Sequence, residues 1–376
     1  MKIACIATST IPSRTANSIQ VMKACHALAQ EGADVCLWTP GNTSLSFSEF
    51  ADLYGLQTEF SVRWLPTSRQ LRKYDFIWRA YQAARKWGMD VLYTWIVQDA
   101  LLAVRDAIPT VYELHGPPTG RLAPLLTRWL VKTKSQKRFV FITLALKKQV
   151  EKQLHLRIPS GESILAPNGV ETERYADLPD PVKARAHLGL PQGLTAGYTG
   201  HLYAGRGMNL LLELARRLPS LNFLWVGGNP EDVNHWKTMF SNAGITNTYL
   251  TGFVDQKSLP LYQAACDILL MPYERKIAGS SGGDSTDYCS PMKMFDYMAS
   301  GRAIVSSDLP VIHEILNHSN AILCAPEDPE DWEKALISLL SDPTRRDQLA
   351  QQAQADAQKY SWRQRERSIL DSLLQQ

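Results

Sequence analysis

The feature that most constrains this chain is an alternation of short apolar segments with helical patterns, run through twice. KIACI, DVCLWTP, VLYTWIV, PTVYEL and RFVFIT read as buried strands separated by helical or polar stretches. Between the first two, Val21, Ala24, Cys25 and Leu28 recur at helical spacing, and Gly32 ends that helix. Apolar strands joined through helices pair in parallel, in a sheet covered on both faces. A segment rich in Pro, Asp and Gly, APNGVETERYADLPDPVKA, interrupts the series, after which TAGYTG, NFLWVGG, TYLTGFV, CDILLMP and RAIVSSD resume it. A chain of 376 residues is longer than one core usually serves, so the pattern implies two α/β, Rossmann-like domains in tandem. The expected division is a domain over 1–170, a connection over 171–190, a second domain over 191–355, and a helical segment over 356–376 packing back toward the first domain.

The formal charge of +3 hides a polarity between the two parts. Residues 1–167 carry 21 Lys/Arg against 12 Asp/Glu, hence +9, and the rest carries −6. A basic first lobe implies an anionic partner, either a membrane surface or a phosphorylated substrate, with unequal solvated faces as the competing reading. The six cysteines form no C-x-x-C pair and no His cluster stands at zinc spacing, so no metal site is expected and a reduced, cytoplasmic compartment fits. The opening apolar run is too short for a signal peptide and leads directly into a helical pattern. No run of about 18 apolar residues exists to span a bilayer. AGSSGGDST at 278–286 is the one low-complexity piece and is expected to be a loop.

Two motifs carry chemistry. In CSPMKMFDYMASG, residues 289–301, Ser290 reads as an N-cap and Pro291 as the first helical residue, leaving the backbone N–H groups of Met292 and Lys293 to face an anion. The Lys293 ammonium adds a full positive charge to that of the helix dipole. Asp296, three residues on, lies on the same helix face, where its carboxylate can accept from two sugar hydroxyls. In YTGHLYAGRGMNLLLE, residues 198–213, a strand ends at Gly200 and a Gly-rich loop carries His201 and Arg206 to the next helix. The Arg206 guanidinium can bind two phosphate oxygens at once. The competing readings are an ordinary capped helix and a surface Arg in a turn.

Taken together, YTGHLYAGRG, the VGG that ends at Gly228, TGFV with Phe253 and Val254, SPMKMFDYMASGRAIVSSD and APNGVETERY resemble the retaining glycosyltransferases of family 4, over nearly the whole chain and in the family's order. The resemblance implies the GT-B fold, two Rossmann-like domains facing across a cleft, and transfer from a nucleoside-diphosphate sugar to an acceptor hydroxyl without a cofactor. It implies donor-binding roles for Gly200, His201, Gly228, Phe253, Val254, Ser290, Met292 and Asp296. His201 stands where the family's G-R-L-x(3)-K-G has Arg, and Arg206 stands at the Lys. Asp296 takes the second acid position of E-x(7)-E, and Tyr288 takes the first, so the donor sugar is left open. His115 of ELHGPP matches the family's His that reaches the donor sugar, giving His115, Arg206 and Lys293 as the catalytic set. In STIPSRTANSIQ, Arg14 and Asn17 replace a Gly-rich loop on the acceptor or phosphate side.

The basic stretches RWLPTSRQLRKYDFIWRAYQAARKW and RLAPLLTRWLVKTKSQKR interleave cations with Trp64, Trp78, Trp87 and Trp129. Between 121 and 157 there are ten Lys/Arg and a single acid, Glu151. Such a surface fits a peripheral helix on anionic lipid, and the resemblance implies a glycan or lipid-linked acceptor at the cytoplasmic face of a membrane, in polysaccharide or glycolipid synthesis. No nucleic-acid motif accompanies the charge, and no G-x-G-x-x-G of a dinucleotide dehydrogenase follows the first strand. The rivals are a nucleotide-sugar epimerase, distinguished by new sugar nucleotide formed without acceptor, and a noncatalytic sugar-nucleotide-binding protein.

Overall fold

A computed structural model describes residues 1–68, 70, 73–277 and 284–375. Positions 278–283 of the expected Ser/Gly loop, and Arg69, Leu71 and Arg72 of the first basic stretch, lie outside the described residues. The chain divides into two units, one of residues 1–168 with 362–376, the other of residues 169–361.

The first unit holds a parallel seven-stranded sheet. Its strands are β1 (Lys2–Ile6), β2 (Asp34–Pro40), β3 (Ser61–Leu65), β4 (Val91–Thr94), β5 (Thr110–Leu114), β6 (Lys137–Phe141) and β7 (Ser163–Leu165), in the order β3-β2-β1-β4-β5-β6-β7. The uninterrupted apolar run of β1 follows from burial on both faces: Ile3 and Cys5 join one apolar cluster, Ala4 and Ile6 the other. The terminal helix Trp362–Leu374 packs on the helix Ala16–Gln30 and contributes Ile369, Leu370 and Leu373 to the first of these clusters. Val97, read as the end of a strand, instead opens the helix Val97–Arg105, because β4 stops at Thr94, whose hydroxyl accepts from the Ile96 N–H.

The second unit holds a parallel six-stranded sheet: β8 (Thr195–Thr199), β9 (Asn222–Val226), β10 (Thr248–Gly252), β11 (Ile268–Met271), β12 (Ala303–Ser307) and β13 (Ile322–Cys324), ordered β10-β9-β8-β11-β12-β13. Residues 171–190, expected as a connection between domains, are folded into this unit. Within them the helix Pro181–Leu188, capped by Asp180, is pinned by an Arg185–Asp267 ion pair of 2.9 Å, and the buried Tyr175 donates to Gln263 at 2.9 Å. Buried apolar and paired groups, not composition rich in Pro and Asp, decide which unit a segment joins.

Candidate donor site and a buried acid cluster

In the second unit, β8 has β9 on one side and β11 on the other, so the chain reverses its direction of growth there. The crevice beyond the C-terminal ends of two such strands is where open α/β sheets take ligands. The loop after β8 holds its shape through glycine. Gly200 has φ +139°, and a Cβ there would stand 2.7 Å from Lys293 Nζ. At Gly207, φ +74°, a Cβ would stand 1.9 Å from the Pro272 carbonyl oxygen, just past β11. Glu274 completes the brace by accepting from the backbone N–H groups of Gly205 and Gly207, at 3.2 Å each.

These contacts bring the two predicted cations together. Lys293 Nζ lies 3.9 Å from the centroid of the Tyr198 ring and 5.5 Å from that of Tyr273. The Arg206 guanidinium carbon lies 5.0 Å from the same Tyr273 ring and 5.1 Å from Tyr203, to whose hydroxyl Nη2 donates at 3.1 Å. Burial pushes the Lys293 ammonium well below the ordinary lysine range, the Arg206 charge pushes it further, and the Asp296 carboxylate only partly opposes them. Burial also works against the Arg206 charge, but Tyr273, Tyr198 and Tyr203 outweigh it and hold that guanidinium above its usual value. Two like charges held over one ring form a site that an anion would relieve.

The helix start differs by one residue from the sequence reading. The helix runs Met292–Ala299 with Pro291 as N-cap, at ψ 120° and with no side-chain cap, so Ser290 is not the cap and Pro291 is not the first helical residue. Pro291 keeps the φ of a helix but its extended ψ leaves it outside. Ser290 is buried just before it, and Met292 and Lys293 become the first two helical residues. The Asp296 charge acts on Arg174 and Tyr175, which come from the APNGVETERY motif. His201 stacks on Tyr203 at 5.2 Å between centroids. Gly228 is buried beside Leu202 in the next loop, and Phe253 and Val254 follow the end of β10.

The remaining predicted residues belong to the first unit. His115 follows β5, and its Nε2 lies 2.6 Å from Oε1 of the fully buried Glu113. The same Oε1 accepts from Gln20 Nε2 at 2.7 Å and from Arg365 Nη2 at 2.8 Å, while Tyr93 donates to Oε2. Arg365 also bonds Glu366. Arg14 is exposed in the loop before the helix Ala16–Gln30, whose N-cap is Thr15, and Asn17 in its first turn accepts from the Ser9 hydroxyl. Sequence reasoning missed Tyr198, Tyr203, Tyr273 and Glu274 in the second unit, and Glu113 and Arg365 in the first. The two tyrosines of YTGHLYAGRG were in plain view, but nothing in their spacing marks a ring as a support for a cation.

Two family models match the chain: Glycosyltransferase Family 4 over residues 18–174 and Glycosyl transferases group 1 over residues 193–342. Among curated relatives, the phosphatidyl-myo-inositol mannosyltransferase of Mycolicibacterium smegmatis is 25% identical over 70% of this chain and 64% of its own length. The alpha-galactosylglucosyldiacylglycerol synthase of Streptococcus pneumoniae is 24% identical over 54% of this chain and 52% of its own. The chain therefore spans less than two-thirds of the length of these curated relatives. Among solved structures, HepE of Anabaena in complex with UDP superposes with a TM-score of 0.75 at 17% identity, over 100% of both chains, and it has also been solved with UDP-glucose.

Proposed function

We propose a function from a family premise: the chain belongs to the family 4, group 1 glycosyltransferases, and its two parallel-sheet α/β units are those of the GT-B fold. The reaction is transfer of a sugar from a nucleoside-diphosphate sugar to an acceptor hydroxyl, with retention of anomeric configuration. The second unit binds the donor and the first binds the acceptor. One observation carries the reading, the convergence of Arg206 and Lys293 on the Tyr273 ring beyond β8 and β11.

Bond cleavage leaves negative charge on the departing diphosphate. Arg206, Lys293 and the N–H groups at the start of the helix Met292–Ala299 are positioned to stabilise it, electrostatics already in place before the bond breaks. A phosphate oxygen of the leaving group takes the acceptor proton, so no separate carboxylate base is needed. Asp296 and Arg174 bind hydroxyls of the donor, and Gly200, His201, Gly228, Phe253, Val254, Ser290 and Met292 complete its surroundings. Arg14, Asn17 and His115 serve from the first unit. UDP and UDP-glucose, bound by the Anabaena neighbour, are the first donors to test.

The acceptor is lipid-linked or glycan, presented at an anionic membrane surface. This part is supported by one helix of the first unit, Ala123–Lys132, along which Leu122, Leu125 and Trp129 stand on a single face at 56%, 63% and 63% exposure. Arg121, Arg128, Lys132 and Lys134 are exposed around them, a pattern suited to lying on anionic lipid. Trp78 is likewise exposed, whereas Trp64 and Trp87 turn inward, Trp64 to bond the Ile11 carbonyl and Trp87 to pack on Trp38. Among the described residues, no helix is long and apolar enough to cross a membrane.

Calorimetric titration with UDP, followed by nucleotide release from UDP-glucose in the presence of acceptor extract, tests the donor reading. UDP binding should weaken at least about tenfold, and release should fall with it, in Arg206→Ala and Lys293→Ala variants that still fold. Wild-type binding in both variants would refute it.

A further inference from the structure

We propose that Glu113 fixes the tautomer of His115, so that the imidazole keeps its Nε2 proton turned inward and offers the Nδ1 lone pair to a substrate hydroxyl. Glu113 is then a positioning residue for a histidine of the site. The inference rests on the reading above only in giving His115 a substrate to meet.

Glu113 is the fourth residue of β5 and His115 follows its last, so the two side chains leave the strand on the same side. The Glu113 side chain has no exposure, while that of His115 keeps 25%. Three other elements supply donors: Gln20 Nε2 from the helix Ala16–Gln30, the Tyr93 hydroxyl from β4, and Arg365 Nη2 from the terminal helix. An arginine has no acceptor and does not lose its proton in a protein, and the amide nitrogen of Gln20 only donates. A carboxyl that receives all of these is ionised. Burial alone would raise its pKa, but the Arg365 charge and the His115 contact outweigh burial and hold it down at about 2.

With no proton on Glu113, the 2.6 Å approach of His115 Nε2 requires the imidazole to be the donor. The neutral ring therefore carries its hydrogen on Nε2, and Nδ1 is the nitrogen left to accept. The opposite tautomer would present a donor there and repel a hydroxyl hydrogen. Glu366, the second acid on Arg365, is pushed up to about 7, by burial first and by Glu113 as well. A proton on Glu366 leaves one carboxylate facing one guanidinium, which keeps the cluster close to neutral and Glu113 ionised.

The test uses the full chain with ring-labelled histidine, the His115 resonances being assigned from a His115→Gln variant. At a pH of about 8.5, above the ordinary imidazole range, nitrogen chemical shifts should show Nε2 protonated and Nδ1 bare. In Glu113→Gln the two tautomers should mix, and kcat for UDP-glucose should fall on the order of 100-fold while its KM changes far less, the result of a misplaced group. A hydrogen on Nδ1 in the wild type overturns the proposal, as does unchanged turnover in His115→Gln. Because the wild-type spectrum needs no active substrate, and no variant beyond the His115→Gln chain that assigns it, it decides the tautomer even if UDP-glucose is not turned over. That second failure would count against the transfer reading alone.

Discussion

Replacing Lys293 with Met should move stability and ligand binding in opposite directions. The ammonium and the Arg206 guanidinium lie 5.5 and 5.0 Å from the same ring centroid, so they are at most 10.5 Å apart, the two distances laid end to end. At an effective dielectric of about 20, two unit charges at that separation repel by about 1.5 kcal/mol. Salt, and the part of Lys293 that still reaches solvent, reduce this to about 1 kcal/mol. The cation–π contact with Tyr198 opposes the gain, yet the depressed titration of Lys293 shows that burial and repulsion together win. Lys293→Met should therefore raise the unfolding free energy at pH 7 by about 1 kcal/mol. The charged form is the one penalised, so the gain is full below the folded-state titration point and vanishes above the unfolded lysine range, near pH ~10.4. UDP, in contrast, loses a charge-assisted hydrogen bond and should bind about 10- to 100-fold more weakly. Urea melts at pH 7 and 9.5 and calorimetric titrations with UDP measure both effects. A variant less stable than wild type at pH 7, or one that binds UDP equally well, would refute the anion-site argument.

Gly200→Ala should fold, because its new Cβ meets mainly the far end of a flexible lysine, with the Tyr198 hydroxyl at 3.2 Å, but the positive φ should lower stability by about 1–3 kcal/mol. Displacing the ammonium should weaken UDP about tenfold, and a Kd equal to wild type would count against Lys293 as a ligand. Glu366 has a folded-state pKa raised to about 7 from an ordinary glutamate value, so wild-type stability should fall as pH rises through that window, and Glu366→Gln should remove the slope. Urea midpoints at pH 5 and pH 8 test this, with parallel changes in both proteins as the contrary result. The double variant Leu125→Glu, Trp129→Glu should lose salt-sensitive binding to vesicles containing anionic lipid while its melting temperature stays within a few degrees of wild type. Unchanged cosedimentation would remove the membrane surface from the reading.

What the sequence disclosed follows the physics of burial. β1 was legible because both its faces are covered, which leaves an unbroken apolar run. β3 was not: it is the edge of its sheet, Ser61 and Arg63 face solvent, and SVRWL passes for the start of a basic stretch. β7 and β13 have three residues each, too few to show a period. The segment 171–190 looked like a linker by composition, while the contacts that bind it, Arg185 to Asp267 and Tyr175 to Gln263, join residues far apart in the chain. Arg206 and Lys293 could each be singled out by local motif, but their meeting over Tyr273 is a property of the sheet order.

The choice of groups around those cations carries its own logic. A carboxylate set between Arg206 and Lys293 would neutralise them and compete with the diphosphate for the same donors. A tyrosine face attracts a cation through its quadrupole without adding a negative charge that would repel an anion. Tyr198, Tyr203 and Tyr273 supply such faces, Glu274 is taken up by the backbone of Gly205 and Gly207, and the Asp296 charge is shared between Lys293 and the Arg174–Tyr175 pair. The depressed titration of Lys293 is then a consequence of keeping the site free for an anion. Binding a diphosphate should reverse it, so that UDP association takes up protons at a pH where Lys293 is partly neutral in the free protein. Binding enthalpies measured in buffers of different ionisation heat would reveal that uptake, and the uptake should disappear in Lys293→Met.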